Sequence, residues 1–317
     1  MNDEPSPPPE PGTAARIAVP ALLTGAVAIG FAPVLIRWSR IGPSATAFWR
    51  LTLALPFLWT WYALRSPGGD DGAADDGARV GVAEAGLLML PGLFFAVDQA
   101  LWYTAVNRTT AANATLLVNL APLFVAPAAW LWLRERVRLP FFLGTGLALG
   151  GVWLLLGASR ALGGTHPTGD AFAFSAAAFY AGYILGVKRL RGRFPVAAVL
   201  AWSTLSAATS LLLIATLRGE QLLPAGARGW LVVAALALIC HIAGQGLITF
   251  SLAHLPAGFS SVSLLTQPVA AAALAWAILG EALGPRQFGG GALVLAGIFL
   301  ARRGSRQAPA RESTAGE

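Results

Sequence analysis

The sequence predicts an all-α membrane protein of ten transmembrane helices in two inverted five-helix repeats, and three observations carry that reading. The 317 residues are 56% hydrophobic and only 12% charged, with a mean hydropathy of +0.64; in a soluble chain about a quarter of residues carry charge. Apolar runs of spanning length recur along the chain. The second half repeats the first in one register without a gap.

A hydrocarbon core of roughly 30 Å takes about 20 helical residues. Runs punctuated by Arg, Pro, Gly and Asp fall at 17–37, 43–65, 84–106, 109–133 and 138–159, then at 170–188, 195–217, 228–252, 256–280 and 285–302. Residues 1–16, MNDEPSPPPEPGTAAR, are Pro-rich and acidic where a secretory signal is basic, so they read as a disordered tail. The first run stays uncharged from Ile17 to Ile36 without a cleavage site, so it is expected to remain as a span. Arg50 and Asp98 interrupt the second and third runs, and SPGGDDGAADDGAR (66–79) and LGGTHPTGD (162–170) are the clearest loops. The organisation that follows is a tail at 1–16, repeats at 17–159 and 170–303, a linker at 160–169 and a C-terminal tail at 304–317.

Cytoplasmic loops of membrane proteins carry an excess of Lys and Arg. Starting from a cytoplasmic N-terminus, most of the 22 basic residues fall on the cytoplasmic side, among them Arg134, Arg136, Arg138, Lys188, Arg189, Arg191 and Arg193. The expectation is a bacterial-type inner-membrane protein with both termini cytoplasmic. The net charge of +7 therefore needs no nucleic acid to explain it.

An offset of 146 residues, the separation of Gln99 from Gln245, also aligns Pro122 with Pro268, Trp130 with Trp276 and Glu135 with Glu281. It further aligns Gly144 with Gly290 and Gly151 with Gly297. With five spans per repeat, the second copy enters the membrane in the opposite sense. Inverted repeats place a binding site at their interface near the midplane, which alternating access exposes to each side in turn.

The paired blocks LLVNLAPLFVAPAAWLWLRE (116–135) and VSLLTQPVAAAALAWAILGE (262–281), each followed by a Gly-containing span, resemble the drug/metabolite transporter superfamily and its EamA-type branch. The resemblance covers residues 17–303 and implies a carrier exporting amino acids and related metabolites, the aromatic amino-acid exporter group being one possibility. The superfamily's small multidrug members depend on a Glu in the first helix; Ile17 to Ile36 has no acidic residue, which speaks against their proton/drug exchange here.

Polar side chains at depth are the substrate-binding candidates, since a polar group in hydrocarbon is costly unless it has work to do. Asp98 is the lone acid deep in a span, and either meets a substrate amine, carries a proton or pairs with Arg50. Arg50 alternatively snorkels or meets a substrate carboxylate. Gln99, Gln245, Gln267, Asn113 and Asn119 offer amides, and His241 is either a satisfied core histidine or part of the site. Trp102, Tyr180 and Tyr183, with Tyr103, Phe179 and Trp202, belong either to an interfacial belt or to an aromatic pocket. Pro122 and Pro268, inside matched spans, are hinge candidates or static kinks. Glu135 and Glu281 read as caps or interfacial ion partners, and Gly144, Gly151 and their mates as small faces packing halves or protomers.

Cys240 is the single cysteine and only three His are present, so neither a disulfide nor metal-ligand spacing is available. No cofactor is expected, and no catalytic triad or phosphate loop argues for an enzyme. The partners expected are a small-molecule substrate and the bilayer. A small zwitterion suits a site with few full charges, so neutral or aromatic amino acids are the expected cargo, the alternatives being another metabolite or drug class, or a membrane-embedded lipid-modifying enzyme.

Overall fold

The computed structural model describes residues 13–64, 80–106, 108, 117–133, 135, 138–157, 167–279 and 284–305, and every regular element among them is helical. In chain order these are α1 (Thr13–Gly30), α2 (Ala32–Trp38), α3 (Pro43–Leu64), α4 (Val82–Val106), α5 (Ala121–Trp132) and α6 (Leu139–Gly157). The second half holds α7 (Pro167–Leu190), α8 (Val196–Leu217), α9 (Gly226–Ala235), a π-helical segment (Leu236–Gln245), α10 (Gly246–His254), α11 (Ala257–Ser263), α12 (Thr266–Leu279) and α13 (Pro285–Gly304). Inside a bilayer a backbone has no water to bond, so helices, which bond internally, are the form such apolar runs take.

Six stretches among the described residues are long and apolar enough to cross a membrane: Arg16–Ile36, Val82–Trp102, Pro167–Leu190, Val196–Leu217, Gly226–His254 and Ala257–Ile278. Ala121–Trp132 and Leu139–Leu154 are apolar but shorter. The expected spans at 43–65, 109–133, 138–159 and 285–302 thus appear as α3, α5, α6 and α13, which fall short in length or apolarity over their described extent. Large apolar side chains such as Phe57, Trp61, Leu131, Trp153 and Phe299 are exposed on the outer faces, a surface suited to lipid rather than water.

The two sequence halves interleave. The packing of α4 along α7 and α8 has a counterpart in the π segment and α10 along α1, with the π segment also against α3. In the same way α5 lies on α7, and α12 on α1. Two seams join like positions: α3 on α8, and α6 on α13. The main partners of each half thus belong to the other.

Glycines make the α6–α13 seam close. A Cβ added at Gly297 would sit 2.5 Å from the Ala148 nitrogen and 2.6 Å from the Gly144 oxygen; one at Gly151 would sit 2.6 Å from the Val294 nitrogen and 2.7 Å from the Gly290 oxygen. No side chain fits at such distances, so these positions bring two backbones together within one chain.

One end of the bundle is tied by polar groups. The Glu135 carboxylate accepts from the backbone nitrogens of Ala257 (2.7 Å) and Gly258 (3.2 Å), so it caps α11 rather than its own helix. Lys188 Nζ donates to the Leu255 carbonyl at 2.7 Å. Arg191, expected in a basic loop, is instead fully buried: its Nε donates to the Thr249 carbonyl at 3.3 Å and its Nη1 to the Phe194 carbonyl. At the opposite end, Glu220 accepts from the Ala45 nitrogen (3.0 Å) and Trp49 Nε1 donates to the Leu222 carbonyl (2.7 Å).

Candidate functional site

Four irregularities in the helices converge at mid-bundle. The first span breaks at Phe31, and Pro33 opens α2 within its first two positions. The chain turns at Asn119–Leu120 before α5, where Pro122 is the second residue, and at Leu264–Leu265 before α12, where Pro268 is the third. The expected kinks in continuous helices are therefore helix restarts. Proline has no N–H to donate and its ring crowds the carbonyl four residues back; in a first turn neither matters, because those N–H groups have no intrahelical partner anyway. The fourth irregularity is the ten-residue π segment, Leu236–Gln245, a wider winding that often marks a functional position.

A cavity of about 170 Å³ lies between these breaks. Its polar wall is made by Arg50, Asp98, Gln99, Asn119, His241, Gln245 and Gln267. Trp102, Tyr180 and Phe95 supply aromatic surface, with Pro33, Ile36, Val118, Cys240 and Pro268 among the rest. The lining comes from the last turns of α1, from α2 and α3, from the second half of α4, from the start of the α5 segment, and from α7, the π segment and α12. The cavity thus occupies the half of the bundle away from Glu135, Lys188 and Arg191.

Eight of the ten sequence-derived candidates meet here: Asp98, Gln99, Trp102, Asn119, Tyr180, His241, Gln245 and Gln267. Tyr183 stands behind the wall, where its hydroxyl accepts from Gln245 Nε2 at 2.8 Å. Asn113 lies outside the described residues. Of the hinge candidates, Pro268 lines the cavity, and Pro122 is buried in the first turn of α5.

Two kinds of polar group face this space. His241 Nε2 lies 2.7 Å from Thr204 Oγ1, and Gln245 is held by Tyr183, so that side is partnered. Arg50 and Asp98 are only 8% and 4% exposed, yet Nε and Nη2 of Arg50 and Oδ1 of Asp98 are buried with no hydrogen-bond partner, as is Nε2 of Gln267. No ion pair joins Arg50 to Asp98 among the described residues; the guanidinium instead lies 5.7 Å from the centre of the Phe95 ring. A cation and an anion held apart over one cavity can meet the two ends of a ligand carrying both charges. Among the described residues no three His, Cys, Asp or Glu side chains gather as a metal would require.

Sequence reasoning passed over Phe95 and Pro33 and left Cys240 off the candidate site, while Arg50, weighed between a partner for Asp98, a snorkelling residue and a contact for a substrate carboxylate, lines the cavity. Pro33 carried a signal of the same kind as Pro122, a proline inside an apolar run. Of the aromatic candidates, Trp202 packs edge-on against Trp59 with ring centres 5.1 Å apart, and Phe179 lies against Phe94, so both belong to helix packing.

Comparison with known proteins adds three findings. The EamA-like transporter family matches the chain twice, over residues 16–157 and 167–303. The uncharacterized transporter YwfM of Bacillus subtilis (strain 168) is 29% identical over 235 residues, covering 72% of this chain and 76% of that protein. One solved protein crystal structure, 21% identical, superposes with a TM-score of 0.75 over 92% of this chain and 98% of its own, a likeness of fold alone.

Proposed function

The chain belongs to the EamA-like transporter family of multi-pass membrane proteins, and on that premise we propose that it exports neutral or aromatic amino acids by alternating access at the mid-bundle cavity. The observation that carries this reading is that Arg50 and Asp98, facing one cavity, both hold buried polar atoms with no hydrogen-bond partner. An α-amino acid presents a carboxylate to the first and an ammonium to the second, so neither charge stays bare in a low-dielectric interior. The aromatic surface of Trp102, Tyr180 and Phe95 favours an apolar or aromatic side chain on the cargo.

Alternating access draws support from reciprocity. The repeat equates Gly144 with Gly290 and Gly151 with Gly297, while Gly144 approaches Gly297 and Gly151 approaches Gly290. Exchange of partners in this way is what a two-fold axis between inverted repeats at 17–159 and 170–303 produces. In this reading ten spans cross a bacterial inner membrane with both termini cytoplasmic, and the cavity opens outward. The moving bodies are α4, α5, α7 and α8 against α1, α3, the π segment, α10 and α12, with the restarts at Pro122 and Pro268 as pivots.

Counterflow in proteoliposomes against labelled amino acids, sugars, nucleotide sugars and organic cations tests the proposal. Phenylalanine and its neutral relatives are expected to exchange, and Pro122→Ala and Pro268→Ala to slow exchange several-fold at equal protein level. Exchange confined to sugars or cations would remove the amino-acid reading; full exchange in both proline variants would remove the pivots.

A further inference from the structure

We propose that Tyr183 and Thr204, neither of which lines the cavity, are positioning residues that fix the hydrogen-bonding polarity of its π-helical wall and thereby its selectivity for ligands bearing an ammonium group. The inference rests on the amino-acid reading above and assigns a recognition role to two side chains behind the site.

His241 and Gln245 are four residues apart in the π segment, whose wide turn keeps such neighbours on one face. Both are buried and both line the cavity. A glutamine amide offers two donors at one end and an acceptor at the other, so whichever end is tied leaves the other for a ligand. Here the nitrogen donates to Tyr183 at 2.8 Å, which leaves the Gln245 oxygen as the end that meets the ligand.

Tyr183 is a fixed anchor. It is 3% exposed, its ring centre is 4.9 Å from that of Phe95, and it stacks on Tyr180 at 6.2 Å with 15° between the planes. Thr204, also buried, pins the His241 ring one turn earlier at 2.7 Å. The anchors stand on α7 and α8, whereas the segment they hold packs along α1 and α3. With Gln245 so turned, its oxygen joins the Asp98 carboxylate among the acceptors of the cavity, while Arg50 and Gln267 Nε2 are among its donors. An ammonium belongs with the first group, a carboxylate with the second.

The experiment uses full-length protein in proteoliposomes, with labelled L-phenylalanine as probe and phenethylamine and 3-phenylpropionate as inhibitors that keep only the ammonium or only the carboxylate. In Tyr183→Phe the amide is released to turn. The KM for phenylalanine is expected to rise roughly five- to tenfold, the scale of one buried hydrogen bond, with turnover within about twofold. Inhibition by phenethylamine should weaken in parallel and inhibition by 3-phenylpropionate should hold. Thr204→Val should follow the same pattern, and Thr204→Ser, which keeps the hydroxyl, should restore the original KM. An equal shift for all three ligands, or none, would overturn the positioning role. Wild-type protein that handles none of the three would overturn the amino-acid reading itself, and this inference with it.

Discussion

At the scale of single residues, the cavity is governed by Arg50 and Asp98, whose buried Nε, Nη2 and Oδ1 atoms have no hydrogen-bond partner. A buried charge lacking hydrogen bonds costs stability, and removing it relieves that cost. Asp98→Asn and Arg50→Gln are therefore expected to lower phenylalanine exchange roughly tenfold or more, the scale of hydrogen bonds to charged groups, while thermal unfolding in detergent stays level or moves upward. A large drop in unfolding temperature with exchange retained would assign both residues to structure instead. Asp98, Gln99, Asn119 and Gln267 were legible in the sequence because polar groups are conspicuous in apolar runs. Tyr183 was not separable from the lining and Thr204 was not singled out, because which face a side chain takes depends on helix phase, and a π segment such as Leu236–Gln245 shifts the phase that a regular α-helix would give.

At the scale of elements, the breaks matter more than the helices. Matched prolines at 122 and 268 marked the right places, but sequence alone does not separate a bent helix from two helices placed end to end. The turns at Asn119–Leu120 and Leu264–Leu265 decide that. The α6–α13 seam gives an element-scale prediction. Gly297→Ala forces a methyl against the α6 backbone, 2.5 Å from the Ala148 nitrogen, whereas a Cβ at Gly146 meets nothing within 4 Å. The first substitution is expected to cost about 1–3 kcal/mol and the second to be neutral or slightly stabilising through better helix propensity. Thermal unfolding of the two variants side by side checks this; equal behaviour would mean the seam is looser than described. The sequence left open whether these glycines pack halves or protomers, since a small-residue stripe does not name its partner.

At the scale of the whole molecule, interleaving follows from having the same surfaces twice. Each helix of one half finds in the other half the counterpart of the partner its own mate uses, as α4 on α7 and the π segment on α1. Repeat mates such as Gly144 and Gly290 announce the duplication in the sequence, yet nothing in a linear register says that the halves cross over one another. Polar ties at both ends, by Glu135, Lys188 and Arg191 at one and by Glu220 and Trp49 at the other, flank the cavity at mid-bundle. The central claim, that this cavity is the path of the cargo, is tested most directly at Cys240, the chain's single cysteine, which lies on the cavity wall. In right-side-out vesicles a small membrane-impermeant methanethiosulfonate reagent is expected to modify Cys240, read by mass spectrometry, with saturating phenylalanine slowing the reaction and modified protein losing exchange. Modification that phenylalanine does not slow, in protein that still exchanges at the full rate, would contradict the account.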